Sequence, residues 1–330
     1  MRIVERQEIE AALDAREARE MIAAGFAAYS AGRAVVPPVG ELLFDDPPGE
    51  AHIKYGSIAG EPYFVIKIAT GFYHNERIGL SNQDGLMLVH RCTTGELVAV
   101  LLDRGWLTAV RTALAGAIAA SLLAPKHVRS IGIAGTGEQA RMQIEYLRGV
   151  VDCRSLVVWG RTGETRRRYA EHMAARGYDV RTVDDPAALA ACELIVTATP
   201  SPTPIIRRLE PGTHVTAVGA DTHEKNEIAP ALFARADLVV ADSRQQCAVR
   251  GDLRHALAAG ATTIDRVTEL GEILLGRARG RRDEREITIA DLTGVAVQDI
   301  QIASHVLNRL APARGGVADA ATRGATDGER

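Results

Sequence analysis

A chain of 330 residues, 46 % hydrophobic and 25 % charged, has the make-up of a globular protein with room for two domains. Its net charge of −3 excludes the broad positive surface that nucleic acid or an anionic membrane would require. No apolar run approaches the length of a membrane span, and the start MRIVERQEIEAAL lacks a signal-peptide core. The four scattered cysteines (Cys92, Cys153, Cys192, Cys247) show neither C-x-x-C nor metal spacing. The expectation is a cytoplasmic protein with reduced thiols, no metal, and neither membrane nor nucleic acid as partner.

Residues 7–31 carry helical periodicity and end near Ser30-Ala31-Gly32. Pro37-Pro38 and Pro47-Pro48-Gly49 then break the chain, with a short strand predicted at 41–44. Runs at 52–55 and 63–68 predict strands about a glycine-containing turn. Runs at 86–89 and 97–102 flank Thr93-Thr94-Gly95-Glu96, a hairpin signal, so 35–102 predicts a β-rich layer. Residues 106–123 are Ala-rich and free of proline, which predicts one long helix, with Gly116 suited to close helix packing and Pro125 ending it.

The most informative stretch follows at 128–162. An apolar run, 128–134, leads into Gly135-Thr136-Gly137-Glu138-Gln139-Ala140, then a helical pattern, then the apolar run 156–159. This strand, glycine turn, helix and strand carry the G-x-G-x-x-A form of the dinucleotide fingerprint. Gly135 serves the tight turn, Gly137 lets a pyrophosphate approach the backbone, and Ala140 lets the helix pack close. The helix start offers free N–H groups to phosphate. The second strand ends in Trp159-Gly160-Arg161-Thr162, without the acid that an NAD site uses on the ribose hydroxyls. Arg161 suits a 2′-phosphate, with the Thr162 hydroxyl beside it, so NADP(H) is favoured and NAD(H) remains possible.

Beyond it, helix 164–176, strand 178–183, short helix 185–191 and strands 193–199, 213–219 and 237–242 alternate. That alternation predicts an α/β fold with a Rossmann-type doubly wound parallel sheet. Ligands in such sheets lie beyond the carboxyl ends of the strands, where Ala198, Thr199, Val218, Gly219 and Asp221 fall. Residues 252–278 read as helical, 286–290 as a last strand, and 295–310 as an apolar helix. The remaining 314–330 have little to bury and predict a disordered tail.

Three cations stand in apolar surroundings. Lys54 and Lys67 lie within predicted strands and Arg111 within the Ala-rich helix. Unpaired buried charge is expensive, so the lysines ask for an anion unless they snorkel at a strand edge, and Arg111 reaches a ligand or a buried acid. Hydride chemistry on an amino acid needs such cations for the carboxylate and an acid/base near the nitrogen. Asp221 is a candidate for the latter, or else caps a helix starting near His223.

Taken together, residues 107–113 (LTAVRTA), 135–140, Val218-Gly219-Ala220-Asp221 with Lys225 and Glu227, Lys67 upstream of Gly71 and Asn75, and 293–299 (TGVAVQD) resemble the ornithine cyclodeaminase/μ-crystallin family. The resemblance runs from about residue 20 to 310. It implies a homodimer with an α+β substrate-binding and dimerisation domain (1–122 plus 296–313) and a dinucleotide-binding domain (123–295). It implies that Lys67 and Arg111 hold the substrate carboxylate and that Asp221 is the catalytic acid/base, with Lys67 at the catalytic centre too. Asn82, Arg111, Thr112 and Val295 join the cofactor candidates.

Members of that family deaminate ornithine or lysine, reduce cyclic imines, interconvert alanine and pyruvate, or reduce iminosuccinate. The shared step is hydride exchange between an amino-acid Cα and nicotinamide. Two departures bear on substrate. Pro38-Val39-Gly40-Glu41 replaces a Pro-Val-Arg pattern, and Lys54 stands where ornithine-specific members carry Glu. A Lys there repels a side-chain ammonium and favours a neutral or acidic side chain, although Glu41 could replace the missing acid. The alternatives are ornithine cyclodeaminase proper and a non-catalytic NADPH-binding protein.

Overall fold

A computed structural model describes residues 1–72 and 74–310. The expectation of a disordered tail at 314–330 lies outside the described residues. In order, β1 (Arg2–Glu5), α1 (Arg6–Ala12), α2 (Ala15–Ser30), β2 (Ala34–Val35), β3 (Gly40–Asp45), β4 (Pro48–Ile58), β5 (Tyr63–Phe72), β6 (Gln83–Arg91) and β7 (Leu97–Leu102) build the first half. They form a seven-stranded sheet in the order β1-β7-β6-β5-β4-β2, with β3 also paired to β4. Its hairpins are antiparallel, and β1 adds parallel to β7.

Two differences from the sequence expectation appear here. The periodic stretch 7–31 is two helices, broken where the Asp14 side chain accepts from the N–H groups of Arg16 and Glu17 and so caps α2. The Asp14 N–H itself donates to His305. The strand β1 carries too few residues to show a period.

Next comes α3 (Trp106–Leu123), then β8 (Ile131–Ala134), α4 (Glu138–Leu147), β9 (Ser155–Trp159), α5 (Gly163–Ala174), β10 (Asp179–Val183), β11 (Leu194–Thr197) and β12 (His214–Ala217). The chain closes with α6 (Ala231–Arg235), β13 (Leu238–Ala241), α7 (Arg244–Cys247), α8 (Asp252–Ala258), β14 (Val267–Glu269), α9 (Leu270–Leu274), β15 (Thr288–Asp291) and α10 (Ala296–Leu310). The stretch 252–278, expected to be helical throughout, is α8, β14 and α9 instead. Its short strand forms because it completes the sheet edge beside β13.

The second sheet is eight-stranded and wholly parallel, in the order β10-β9-β8-β11-β12-β15-β13-β14. Strands β8, β11, β12, β13 and β15 are buried at every position, as expected where helices cover both faces. The order reverses direction between β8 and β11, which opens the crevice where doubly wound sheets bind ligands.

Helix α3 joins the halves. It packs on α2, α4 and α10 and reaches β6 of one sheet and β12 of the other. It is long and apolar enough to cross a membrane by composition, yet 72 % of it is buried inside the protein. Gly116 lies on its α4 side, where any Cβ would strike the Gln143 amide. Helix α10 returns to the first half and packs on α2, β4 and β5, placing a helix with buried residues from Ala296 to Val306 beside the sheet.

Candidate active site

The crevice is built first by glycines. Gly135 has φ +124°, and a Cβ there would come within 2.6 Å of the Ala198 carbonyl, so the turn after β8 admits no other residue without strain. A Cβ on Gly137, by contrast, would meet nothing within 4 Å. Gly137 is the N-cap of α4 and no side chain caps that helix. Open space therefore faces the uncapped amides around Glu138 and Gln139, and this fits a pyrophosphate. Thr136 backs onto Gly160, where a Cβ would lie 2.5 Å from the threonine methyl. Ala140 is fully buried and its carbonyl accepts from the Tyr169 hydroxyl.

At the end of β9, Arg161 is exposed and makes no ion pair among the described residues. Arg166 donates to the Gly160 carbonyl at 2.7 Å and pairs with Asp184, which fixes the turn beneath Arg161. The Thr162 hydroxyl caps α5 by accepting from the Thr165 N–H, so its first duty is structural.

The far wall is tied by a residue the sequence reading left without a role. Glu227 accepts from the Thr197 and Thr199 hydroxyls (2.8 Å each), the Thr199 N–H (2.6 Å) and the Gly219 N–H (2.8 Å). One buried carboxyl thus joins the ends of β11 and β12. Burial raises its pKa against these bonds. Thr112 turns its carbonyl to Gln143, Val295 is buried at the entry to α10, and Asn82 lies in the β5–β6 connection, where its carbonyl accepts from Phe72.

The sequence-predicted cations converge. Lys54 and Lys67 are directly opposite in the β4–β5 pair and so share one face. Lys54 is 5 % exposed, Lys67 1 % and Arg111 4 %. The buried acid expected for Arg111 is Asp299 of α10, 3.1 Å from Arg111 Nε and 3.6 Å from Lys67 Nζ. Neither Asp299 oxygen makes an aligned hydrogen bond among the described residues. Lys54 Nζ donates to the carbonyls of Thr293 and Gly294, both at 2.8 Å. Gln298 accepts from Arg111 and donates back to its carbonyl. Gly294 has φ +82°, and the Arg111 guanidinium fills the space a Cβ would need.

Two cations therefore share one buried carboxylate, and a third, Lys54, stands beside Lys67 on the same face of the sheet. Burial, with Arg111 adding to it, pushes Lys67 down to about 7 against the pull of Asp299. Burial and Arg111 likewise push Lys54 down to about 8. A bound carboxylate would relieve both.

Asp221 follows β12 in an irregular loop. No helix begins near His223, so the capping alternative falls away; the next helix is α6. Its side chain is 33 % exposed, with Lys225 Nζ at 2.7 Å, and Arg250 donates to its carbonyl. Burial alone would raise its pKa, but Lys225, His52 and Lys54 outweigh it and hold the carboxyl well below the usual range. Glu41, which sequence offered as a substrate contact, is paired with Arg250 (2.7 Å) and His52 (3.0 Å).

Glu50, His52 and Arg250 were not singled out in the sequence. The signal for two of them was present: Glu50, His52 and Lys54 recur at period two along β4, a polar stripe on one face. Ligand atoms of Glu50, His52 and Asp221 lie within 4.8 Å of one another, although sequence showed no metal spacing. The Lys225 ammonium stands 2.7 Å from Asp221 and 3.2 Å from Glu50, where a metal cation would be placed.

The Ornithine cyclodeaminase/mu-crystallin family matches residues 1–313. The chain is 41 % identical over 279 residues to an uncharacterized cyclodeaminase of Sinorhizobium fredii, covering 83 % of this chain and 84 % of that one. Among solved structures, an iminosuccinate reductase of Paracoccus denitrificans in complex with NAD⁺ is similar at 31 % identity and TM-score 0.85, covering 94 % and 96 %. An archaeal alanine dehydrogenase dimer with bound NAD is similar at 29 % identity and TM-score 0.86, covering 94 % and 95 %.

Proposed function

Because this chain belongs to the ornithine cyclodeaminase/μ-crystallin family, we propose that it exchanges a hydride between the Cα of an amino acid, or the matching imine carbon, and a nicotinamide dinucleotide. The observation that carries this reading is the meeting of Lys67 and Arg111 over a single buried Asp299, with Lys54 opposite Lys67 and close enough to Asp221 to favour its ionised form. Within it, 1–122 with the last helix form the substrate-binding and dimerisation domain, and 123–295 hold the nucleotide. A bound nicotinamide supplies the hydride acceptor or donor. Lys67 and Arg111 orient the substrate carboxylate, and Asp221 exchanges the proton at nitrogen.

The side chain of the substrate is neutral or acidic in this reading. Lys54 repels a distal ammonium. Moreover Glu41, Glu50, Asp221 and Asp299 are each already ion-paired, so none is left over for ornithine. The test is a screen of neutral, acidic and basic amino acids, and of keto acids with ammonia or methylamine, read by absorbance of the reduced nicotinamide. Turnover with ornithine above all neutral and acidic substrates would overturn the side-chain reading. Silence with every substrate would favour a nucleotide-binding protein without turnover.

The exposed, unpaired Arg161 supports NADP(H) over NAD(H), although the solved relatives named above hold NAD. Arg161→Ala should weaken NADP(H) binding by about 1–3 kcal/mol, the range for a bond to a charged group, and barely change NAD(H). Calorimetric titration of both nucleotides decides it, and equal loss for both would remove the 2′-phosphate role.

A homodimer is the second part of the reading. The edge strand β3 exposes Leu42, Leu43 and Phe44 in a row, and an apolar edge of this kind calls for a covering partner. Light scattering at micromolar concentration should give about twice the 35.3 kDa chain mass. A monomer mass would count against it.

A further inference from the structure

His52 is 6 % exposed and lies two residues from Lys54 on the same face of β4. Its Nε2 is 3.0 Å from Glu41 Oε1, its direct cross-strand partner, and 3.4 Å from Arg250 Nη2. One nitrogen cannot donate to the carboxylate and accept from the guanidinium at once. The shorter, charge-assisted contact assigns an N–H donating to Glu41. A ring nitrogen of His52 also lies within 4.8 Å of carboxylate oxygens of Asp221 and Glu50. The imidazole is thus in hydrogen-bond reach of Glu41, whose side chain is 21 % exposed, and within 4.8 Å of the Asp221 carboxylate.

The charged groups around it come from every neighbouring element. They are Glu41 of β3, Glu50 and Lys54 of β4, Asp221 and Lys225 of the loop after β12, and Arg250 between α7 and α8.

We propose that His52 is a positioning residue that relays the proton between Asp221 and Glu41, so that Asp221 is reset for each turnover. This rests on the assignment of Asp221 to proton exchange. In the oxidative direction the Asp221 carboxylate takes a proton from the substrate ammonium and passes it through one bridging water to the imidazole. The N–H on Nε2 goes to Glu41 and from there to water, and proton exchange with solvent returns the ring to its starting tautomer before the next turnover. Only protons move along this path; the hydride leaves separately from Cα to the nicotinamide. Reduction of an imine runs the path backwards.

Such a relay answers a difficulty. The cations that hold Asp221 ionised also make it a poor place for a proton to rest. His52 is kept below 6.5, by burial first and then Lys54 and Arg250, against the pull of Asp221 and Glu50. The shift favours the uncharged ring, which can accept a proton.

His52→Gln tests this. The amide can still donate to Glu41 and accept from Arg250, but it cannot carry a proton. With the full-length enzyme, its preferred nucleotide and its best amino acid, kcat for oxidation should fall by roughly tenfold or more. The acid limb that His52 gives the wild-type pH profile should vanish, and added imidazole should restore part of the rate. Glu41→Gln should lower kcat without abolishing that limb. An unchanged pH profile in His52→Gln, or a loss that imidazole does not rescue, would overturn the relay. Normal turnover by Asp221→Asn would instead remove the assignment of Asp221, and the relay with it.

Discussion

Asp221→Asn should lower kcat by about 10²–10⁴-fold on the best substrate, the usual cost of losing a positioned proton-transfer group. Melting temperature and nucleotide affinity should stay near wild type. The side chain caps no helix and is one-third exposed, so its removal leaves no buried charge stranded. Lys225 keeps Glu50 as a partner at 3.2 Å, and the adjoining backbone is held independently by the Glu227 bond to the Gly219 N–H. Asparagine keeps the size and the backbone carbonyl that accepts from Arg250. The effect should fall on kcat and kcat/KM together, because the interaction serves the reaction rather than ground-state binding. Near-normal turnover would place the acid/base elsewhere.

Asp299→Asn should have the largest effect on stability. The carboxylate is 1 % exposed and is the anion nearest both Lys67 and Arg111. Removing one partner of a buried ion pair costs about 3–5 kcal/mol, because the other charge is left in a poor medium. Lys67 blunts the loss, since it is already down to about 7 and can shed its proton. Its folded pKa lies below the ordinary 10.5, so between those values the unfolded chain binds the extra proton. Stability from this group therefore rises with pH through that window, and its cost is full below about 7. The variant should extend the window downward. The melting-temperature deficit should be larger at pH 6 than at pH 9, and a carboxylate substrate should recover more of it than in wild type. Identical melting at pH 6 would show that Asp299 does not neutralise these cations.

How much of this was legible in the chain depends on sequence distance. The dinucleotide unit was readable because its turn, helix start and strands are contiguous, and each glycine answers a local steric demand. Lys67 and Arg111 were readable as oddities, charges among Leu, Ile and Ala, but their partner was not. Gln298 and Arg111 are 187 residues apart, and Asp299 is as remote, so only the fold could join them. The break at Asp14 is similar: a locally continuous helical period yields to a cap and to a bond from His305 of α10. Strand β14 exists because β13 offers it an edge, which no window of three residues can reveal. His52 was the avoidable omission, since the period-two stripe with Glu50 and Lys54 was in plain sight.

Gly294 carries a consequence for how the substrate range of this site can drift. Its backbone occupies the left-handed region, and the Arg111 guanidinium fills the volume that any side chain would claim. Random change at this position displaces the arginine before it reshapes anything else. Gly219 is closed in the same way by Thr199 and Glu227. New specificities therefore enter more readily through Glu50 of the β4 stripe and through Glu41, whose side chains keep some exposure. The molecule's evolvability is lopsided: one wall of the site is frozen by glycine, and the opposite strand is where selection has letters to change.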